Sequence, residues 1–273
     1  MQKFNLLGKF LIIGLIFFLA GGCDSFLDVN PCTDVTCEND GGCFEGVCIC
    51  PDGFIGLNCQ IFDPTQVQAL LTAGVTPIEL FNADIPLESL YGKQFEDGFI
   101  FYLNTDDGTG LVAATVDQSM GAEWGCFGSD ILGLPNIASS NVIPDPETEI
   151  GARIGDGVAN TDAILMECSE GGIAALLARS LGPEWFLPAR GELNLMWQNL
   201  ADSDGNGINT GPGDFENLGG FSDEPYWSSS EGNSDVVAWL QNLGDGSQVN
   251  VVKNSSFRAV SYTHLTLPTN REV

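Results

Sequence analysis

The spacing of apolar side chains changes character repeatedly along this chain. Phe10 to Leu19 is apolar almost without break, and Ala20-Gly21-Gly22-Cys23 closes the run. The thirteen residues from Phe10 to Gly22 are too few to cross a bilayer as a helix, which needs about 20. With Lys3 and Lys9 ahead of it, the run reads as the hydrophobic region of a signal peptide. From Ile61 to Gly92 helical signals take over. Asp63-Pro64 is a cap followed by a first-turn proline, and Val67, Leu70 and Leu71 share a face until Gly74. Pro77–Asn82 and Pro86–Tyr91 make two further short helical turns, expected to pack as a neck.

From Gly98 the pattern turns strand-like: Phe99 to Leu103, a turn at Asp106-Asp107-Gly108, then Leu111 to Ala114. Asn160-Thr161 is placed to cap a helix running to Cys168, and Ile173 to Leu181 forms another, ended by Gly182-Pro183. Leu193, Met196, Trp197 and Leu200 recur at helical spacing. Tyr226–Ser228, Val236–Trp239 and Val249–Val252 are short strands between glycine- and asparagine-rich turns. Helices and strands are mixed without βαβ alternation, so the fold class is α+β.

Charge narrows the function. Thirty-seven acidic residues face nine basic ones, for a net charge of −28. Such a surface repels a phosphate backbone, and no Lys/Arg cluster offsets it, so nucleic acid is excluded as a partner. The plain reading is a solvated acidic surface; divalent-cation binding is the alternative.

Six of nine cysteines fall between Cys32 and Cys59, in a stretch too short to bury its own core. That density reads as a disulfide framework and places the chain outside the reducing cytosol. The leader resembles a bacterial lipoprotein signal, which implies lipidation at Cys23 and anchoring to the membrane. It departs from that family at Ala20, where Leu is favoured, while Leu19 lies four residues before Cys23. An ordinary secretory signal, leaving Cys23 as a spare thiol, is the alternative.

The cysteine spacing C-x4-C-x5-C-x4-C-x-C-x8-C leaves the pairing open. With Gly53-Phe54-Ile55-Gly56 before the last cysteine, the segment resembles an EGF-like domain. The resemblance implies Cys32–Cys43, Cys37–Cys48 and Cys50–Cys59. Calcium-binding members carry acidic residues before the first cysteine, where Pro31 interrupts Asp28-Val29-Asn30, and a further ligand that Cys43–Cys48 lacks. The module is therefore expected to be a spacer or contact unit without calcium.

A second resemblance spans roughly residues 93–260. It rests on Gly98-Phe-Ile-Phe-Tyr, Gly110-Leu-Val-Ala-Ala, Glu123-Trp-Gly-Cys126, Trp185-Phe-Leu-Pro188, Tyr226-Trp-Ser-Ser-Ser-Glu231 and Phe257-Arg-Ala-Val260, in that order. These motifs are similar to the DUF1566 family, which includes the carboxyl domain of a collagen-like bacterial adhesin and is similar to fibrobacter major-paralogue domains. The resemblance implies a cell-surface domain with a C-type-lectin-like fold that binds glycan or matrix, and no catalytic residue. Cys126 and Cys168 are expected to pair.

Several residues are candidates for chemistry. Asp202, Asp204 and Asn206 stand at alternate positions before Gly207, with the carbonyl of Ile208 following, like the opening of a calcium loop. Gly213 stands where an EF-hand needs Glu, and Asp214 or Glu216 would have to complete the shell. A polar turn is the favoured reading; no cofactor is required, and calcium is the one candidate. Trp124 and Trp227, with Glu231, are candidates for contacting a sugar, although the indoles, like Trp185 and Trp239, sit in apolar segments that suit a core. Glu192 and Glu231 are the candidate carboxylate pair for glycoside hydrolysis, and Glu192 already suits a helix start. No enzyme is expected.

The single histidine, His264, lies in a tail that resembles translated sequencing adapter, residues 261–273. The expected organisation is a signal peptide at 1–22, a tether at 23–31, an EGF-like module at 32–59, a helical neck at 60–92, and a binding domain at 93–260. The chain is expected on the bacterial outer membrane or cell surface, held by its lipid and presenting a domain for an extracellular glycan or protein. A structural envelope component working by protein contact is the alternative.

Overall fold

A computed structural model describes residues 31–137, 149–202, 204–211 and 217–265. The signal segment, Cys23, Asp214, Glu216 and residues 266–273 lie outside them. The small module is two hairpins, β1 (Gly42–Phe44) with β2 (Val47–Ile49) and β3 (Phe54–Ile55) with β4 (Ile61–Phe62). Cys32–Cys43, Cys37–Cys48 and Cys50–Cys59 are bonded.

Three short helices follow, α1 (Val67–Thr72), α2 (Pro77–Asn82) and α3 (Leu87–Leu90). Their starts have local causes. Asp63 accepts from Thr65 N ahead of a 3-10 turn that leads into α1, and Thr76 and Glu79 cap α2 reciprocally. Leu70, Leu71, Leu80 and Leu90 from these helices pack with Ile100, Leu103 and Val112. The segment is thus fastened to the large domain by a shared apolar core.

The large domain has two sheets. One is four-stranded: β13 (Tyr262–His264), β7 (Gly110–Ala114), β6 (Gly98–Leu103) and β5 (Gln94–Phe95), all antiparallel. The other is five-stranded: β11 (Gln248–Val252), β10 (Val237–Asn242), β9 (Pro225–Glu231), β12 (Phe257–Ala259) and β8 (Ser119–Ala122), with β9 and β12 parallel. Helices α4 (Asp156–Glu167), α5 (Ala174–Ala178) and α6 (Arg190–Met196) pack against them. The architecture is mixed α+β, and Cys126–Cys168 ties the segment after β8 to the end of α4.

One expectation is corrected. Helix α4 begins at Asp156, so Asn160 and Thr161 are interior rather than capping. They act as buried brackets instead: Asn160 Nδ2 donates to Gly151 O at 2.9 Å, and Leu187 N donates to Thr161 Oγ1 at 3.0 Å. Past 260 the backbone continues in the sheet. Tyr262 is fully buried, and its backbone exchanges two 2.9 Å hydrogen bonds with Phe186. Residues 261–265 pack with the domain, with Tyr262–His264 pairing antiparallel with β7.

Candidate ligand-binding site

The residues singled out for sugar contact are in the core. Trp124, Trp227 and Glu231 have no exposed surface, which corrects their assignment as ligand-facing. Trp124 Nε1 donates to Ser228 O and Trp227 Nε1 to Ala122 O, each at 2.8 Å, so both polar edges are used in stitching strands together. Glu231 pairs with Lys253, and Ile131 N donates to its carboxylate.

Glu192 is also fully buried. Its oxygens accept from Gly155 N and Ala189 N, both at 2.7 Å, joining the starts of α4 and α6. Burial raises its pKa to about 7 against the pull of those two N–H groups. Gly157 is required beside it, since a Cβ there would lie 2.4 Å from Glu192 Oε2 and 2.7 Å from the Tyr262 hydroxyl. Neither carboxylate of the hydrolase pair meets solvent.

The calcium-like loop is closed upon itself. Gly207 N donates to both oxygens of the buried Asp202 at 3.0 Å, Asn206 N to Asp204 Oδ1 at 3.1 Å, and Ile208 N to Asn206 Oδ1 at 2.8 Å. These are the self-satisfied bonds of a polar turn. Among the described residues, a further cluster with metal-ligand chemistry, Cys126, Cys168 and Glu170, has its sulfurs committed to the disulfide.

A concavity of about 420 Å³ lies elsewhere on the large domain, between α6 and the β10–β11 hairpin. Arg190 and Trp197 form one wall, and residues 245–249 the other. Helix α6 passes into a π-helical turn over Trp197–Ala201, a feature frequent at functional sites. Gly246, at φ +71°, admits the Trp197 ring, because a Cβ there would stand 2.4 Å from the indole.

Gln248 is held in place by a chain of amides. Arg190 Nε donates to Gln248 Oε1 at 2.6 Å, and Gln248 Nε2 donates to Arg190 O and to Gln241 Oε1 at 3.1 and 2.9 Å. Gln241 Nε2 continues to Asn194 Oδ1 at 2.9 Å and Gly246 O at 3.1 Å. The Arg190 guanidinium lies 3.6 Å from the centroid of the Trp239 ring, a cation–π contact. Desolvation lowers the Arg190 pKa to about 10, so it remains a cation at neutral pH. The result is a preorganised wall of neutral amides beside an indole, with Asp245 and Ser247 at the exposed rim.

Sequence reasoning placed Trp197 on a helix face and missed Arg190 and Gln248. The available signal was Arg190 itself, one of only nine basic residues, lying directly after an apolar segment.

No family model matches the chain. No curated protein matches it either.

Proposed function

We propose that this chain is a lipid-anchored bacterial envelope protein, held through Cys23, that presents a ligand-binding domain on the cell surface. Its cysteine-rich segment is an EGF-like spacer, and its large domain is a DUF1566-type domain of C-type-lectin-like fold. The ligand is a glycan, free or on matrix, received in the Arg190–Trp197–Gln248 pocket. What carries this reading is the chain of amides that holds Gln248 rigid beside the Trp197 indole. Preorganised planar amides next to an aromatic ring suit a hydroxyl-rich ligand, since little ordering remains for binding to impose.

Four disulfides, three in the pairing that the EGF-like resemblance implies, support an oxidising location. In this reading the protein acts by binding; Glu192 and Glu231, the pair weighed for glycoside hydrolysis, are both buried and committed to structural bonds. No cofactor is required in this reading; calcium at the Asp202–Ile208 loop would have to displace the turn's own hydrogen bonds. The second reading, an envelope assembly component, draws on the exposed apolar side chains of Phe44, Val47 and Ile49 on the module.

A glycan array probed with the mature chain, with and without calcium, separates them. Retention of a glycan by the wild type and its loss in Gln248→Ala supports the first reading. Capture of envelope proteins with no glycan retained supports the second.

A further inference from the structure

A second concavity lies on the large domain, on the turn between β5 and β6. Two adjoining cavities, of about 310 and 220 Å³, share Asp97, Leu181 and Trp185 and so form one groove. Its chemistry differs from that of the Gln248 pocket. Glu96 and Asp97 form the tip of the two-residue turn joining Phe95 to Gly98, and Glu184 faces them from the segment after α5. Asp97 and Glu184 are exposed, and among the described residues no lysine or arginine lines either cavity; His264, which lines the larger one near Glu184, has its pKa lowered by burial.

The floor is apolar. Leu181 and Val116 are 47% and 66% exposed there. Trp185 is only 9% exposed and lines both cavities. Among the described residues its indole N–H has no hydrogen-bond partner, and it is not sealed off by packing. A donor on a nearly buried ring that lines the groove is free to meet a ligand's acceptor there.

We propose that this groove binds a lysine or arginine side chain of a partner protein. Three features match three parts of such a residue. The carboxylates of Asp97 and Glu184 receive the cationic head. The aliphatic stem lies on Leu181 and Val116, as long basic side chains do on apolar surface. The Trp185 indole N–H donates to a backbone carbonyl of the bound peptide, a contact that neither a bare metal ion nor a simple amine supplies. A free glycan lacks the cation, so this site is separate from the proposed glycan pocket and does not depend on it. The chain's net charge of −28 draws basic partners toward the protein generally, and the groove gives that attraction a specific seat.

The test uses the mature chain and a fluorescein-labelled peptide of alternating lysine and leucine, read by anisotropy at low and physiological salt. The control peptide carries norleucine in place of lysine. The variant Asp97→Asn with Glu184→Gln is expected to bind the lysine peptide about tenfold more weakly. An Asp34→Asn, Glu38→Gln variant removes the same charge from the small module and is expected to bind as wild type. Trp185→Phe, which keeps a ring and removes the donor, is expected to weaken binding severalfold. Equal binding by the two charge variants overturns the proposal, because the attraction is then diffuse. Equal binding of the norleucine peptide, or no binding of the lysine peptide, also overturns it.

Discussion

Glu231 and Lys253 form an ion pair in which neither side chain has any exposed surface. Lys253 Nζ also donates to Ser129 O at 2.8 Å and lies 4.7 Å from the centroid of the Trp124 ring. The pair thus ties the end of β9 to the loop after β8 and to the residue following β11. Desolvation raises the Glu231 pKa, and Lys253 opposes that rise. Removing one member strands the other in a dry site, which typically costs about 3–5 kcal/mol, whereas replacing both with apolar groups is often neutral. Glu231→Gln should therefore lower urea stability by roughly 3 kcal/mol, and Glu231→Leu with Lys253→Met should recover most of it. Equal losses in the single and double variants would show that burial, not pairing, sets the cost.

Glu192 makes stability depend on pH in a defined direction. Its folded pKa of about 7 stands above the usual 4.5, raised chiefly by desolvation. Protonation therefore favours the folded chain: this contribution is fully present below pH 4.5 and is lost as pH rises through 7. Over that window it amounts to roughly 3 kcal/mol. Burial also raises the pKa values of Asp117 and Glu231, which act in the same sense. Glu192→Gln isolates the Glu192 share: urea midpoints measured from pH 4 to 8 should fall less steeply with rising pH in the variant. Parallel curves would contradict this assignment.

The Cys126–Cys168 bridge closes a 42-residue separation within the large domain. A loop of that length corresponds to about 4 kcal/mol on the chain-entropy account. Cys126→Ser with Cys168→Ser should lower the thermal midpoint while the three module disulfides, read by peptide mapping, remain intact. An unchanged midpoint would mean that the packing of α4 alone holds this region.

Strand β13 lies two to four residues beyond the boundary expected from sequence at 260, and Tyr262 packs against both Phe101 and Phe186. Truncation after Val260 is expected to destabilise the domain by at least the roughly 3–5 kcal/mol typical of losing one large buried aromatic ring. Wild-type stability in the truncated chain would restore the boundary at 260.

Much of the fold was legible because local signals and tertiary packing agree. Pro77–Asn82 was placed to the residue, since Pro77 and Asn82 bracket a turn that Thr76 and Glu79 cap. Strands β6, β7, β9, β10 and β11 lay close to their apolar runs. Helix α4 was begun late because Asn160 and Thr161 look like caps, and only the fold shows that their side chains bond Gly151, Ser229 and Leu187 instead. The site was less legible. Burial separates Trp124 and Trp227 from Trp197, a difference set by tertiary packing. The Arg190–Gln248 bond joins residues 58 apart, a pairing that no local pattern encodes.

The central claim is that a glycan enters the Gln248 pocket and not the tryptophans of the sequence motifs. The most direct measurement is a titration of ¹⁵N-tryptophan-labelled mature chain with glycans from the array, following each indole N–H resonance. The Trp197 signal should move and saturate while those of Trp124 and Trp227 stay fixed. Movement of Trp124 or Trp227 with Trp197 unchanged, or no response to any glycan, would contradict it.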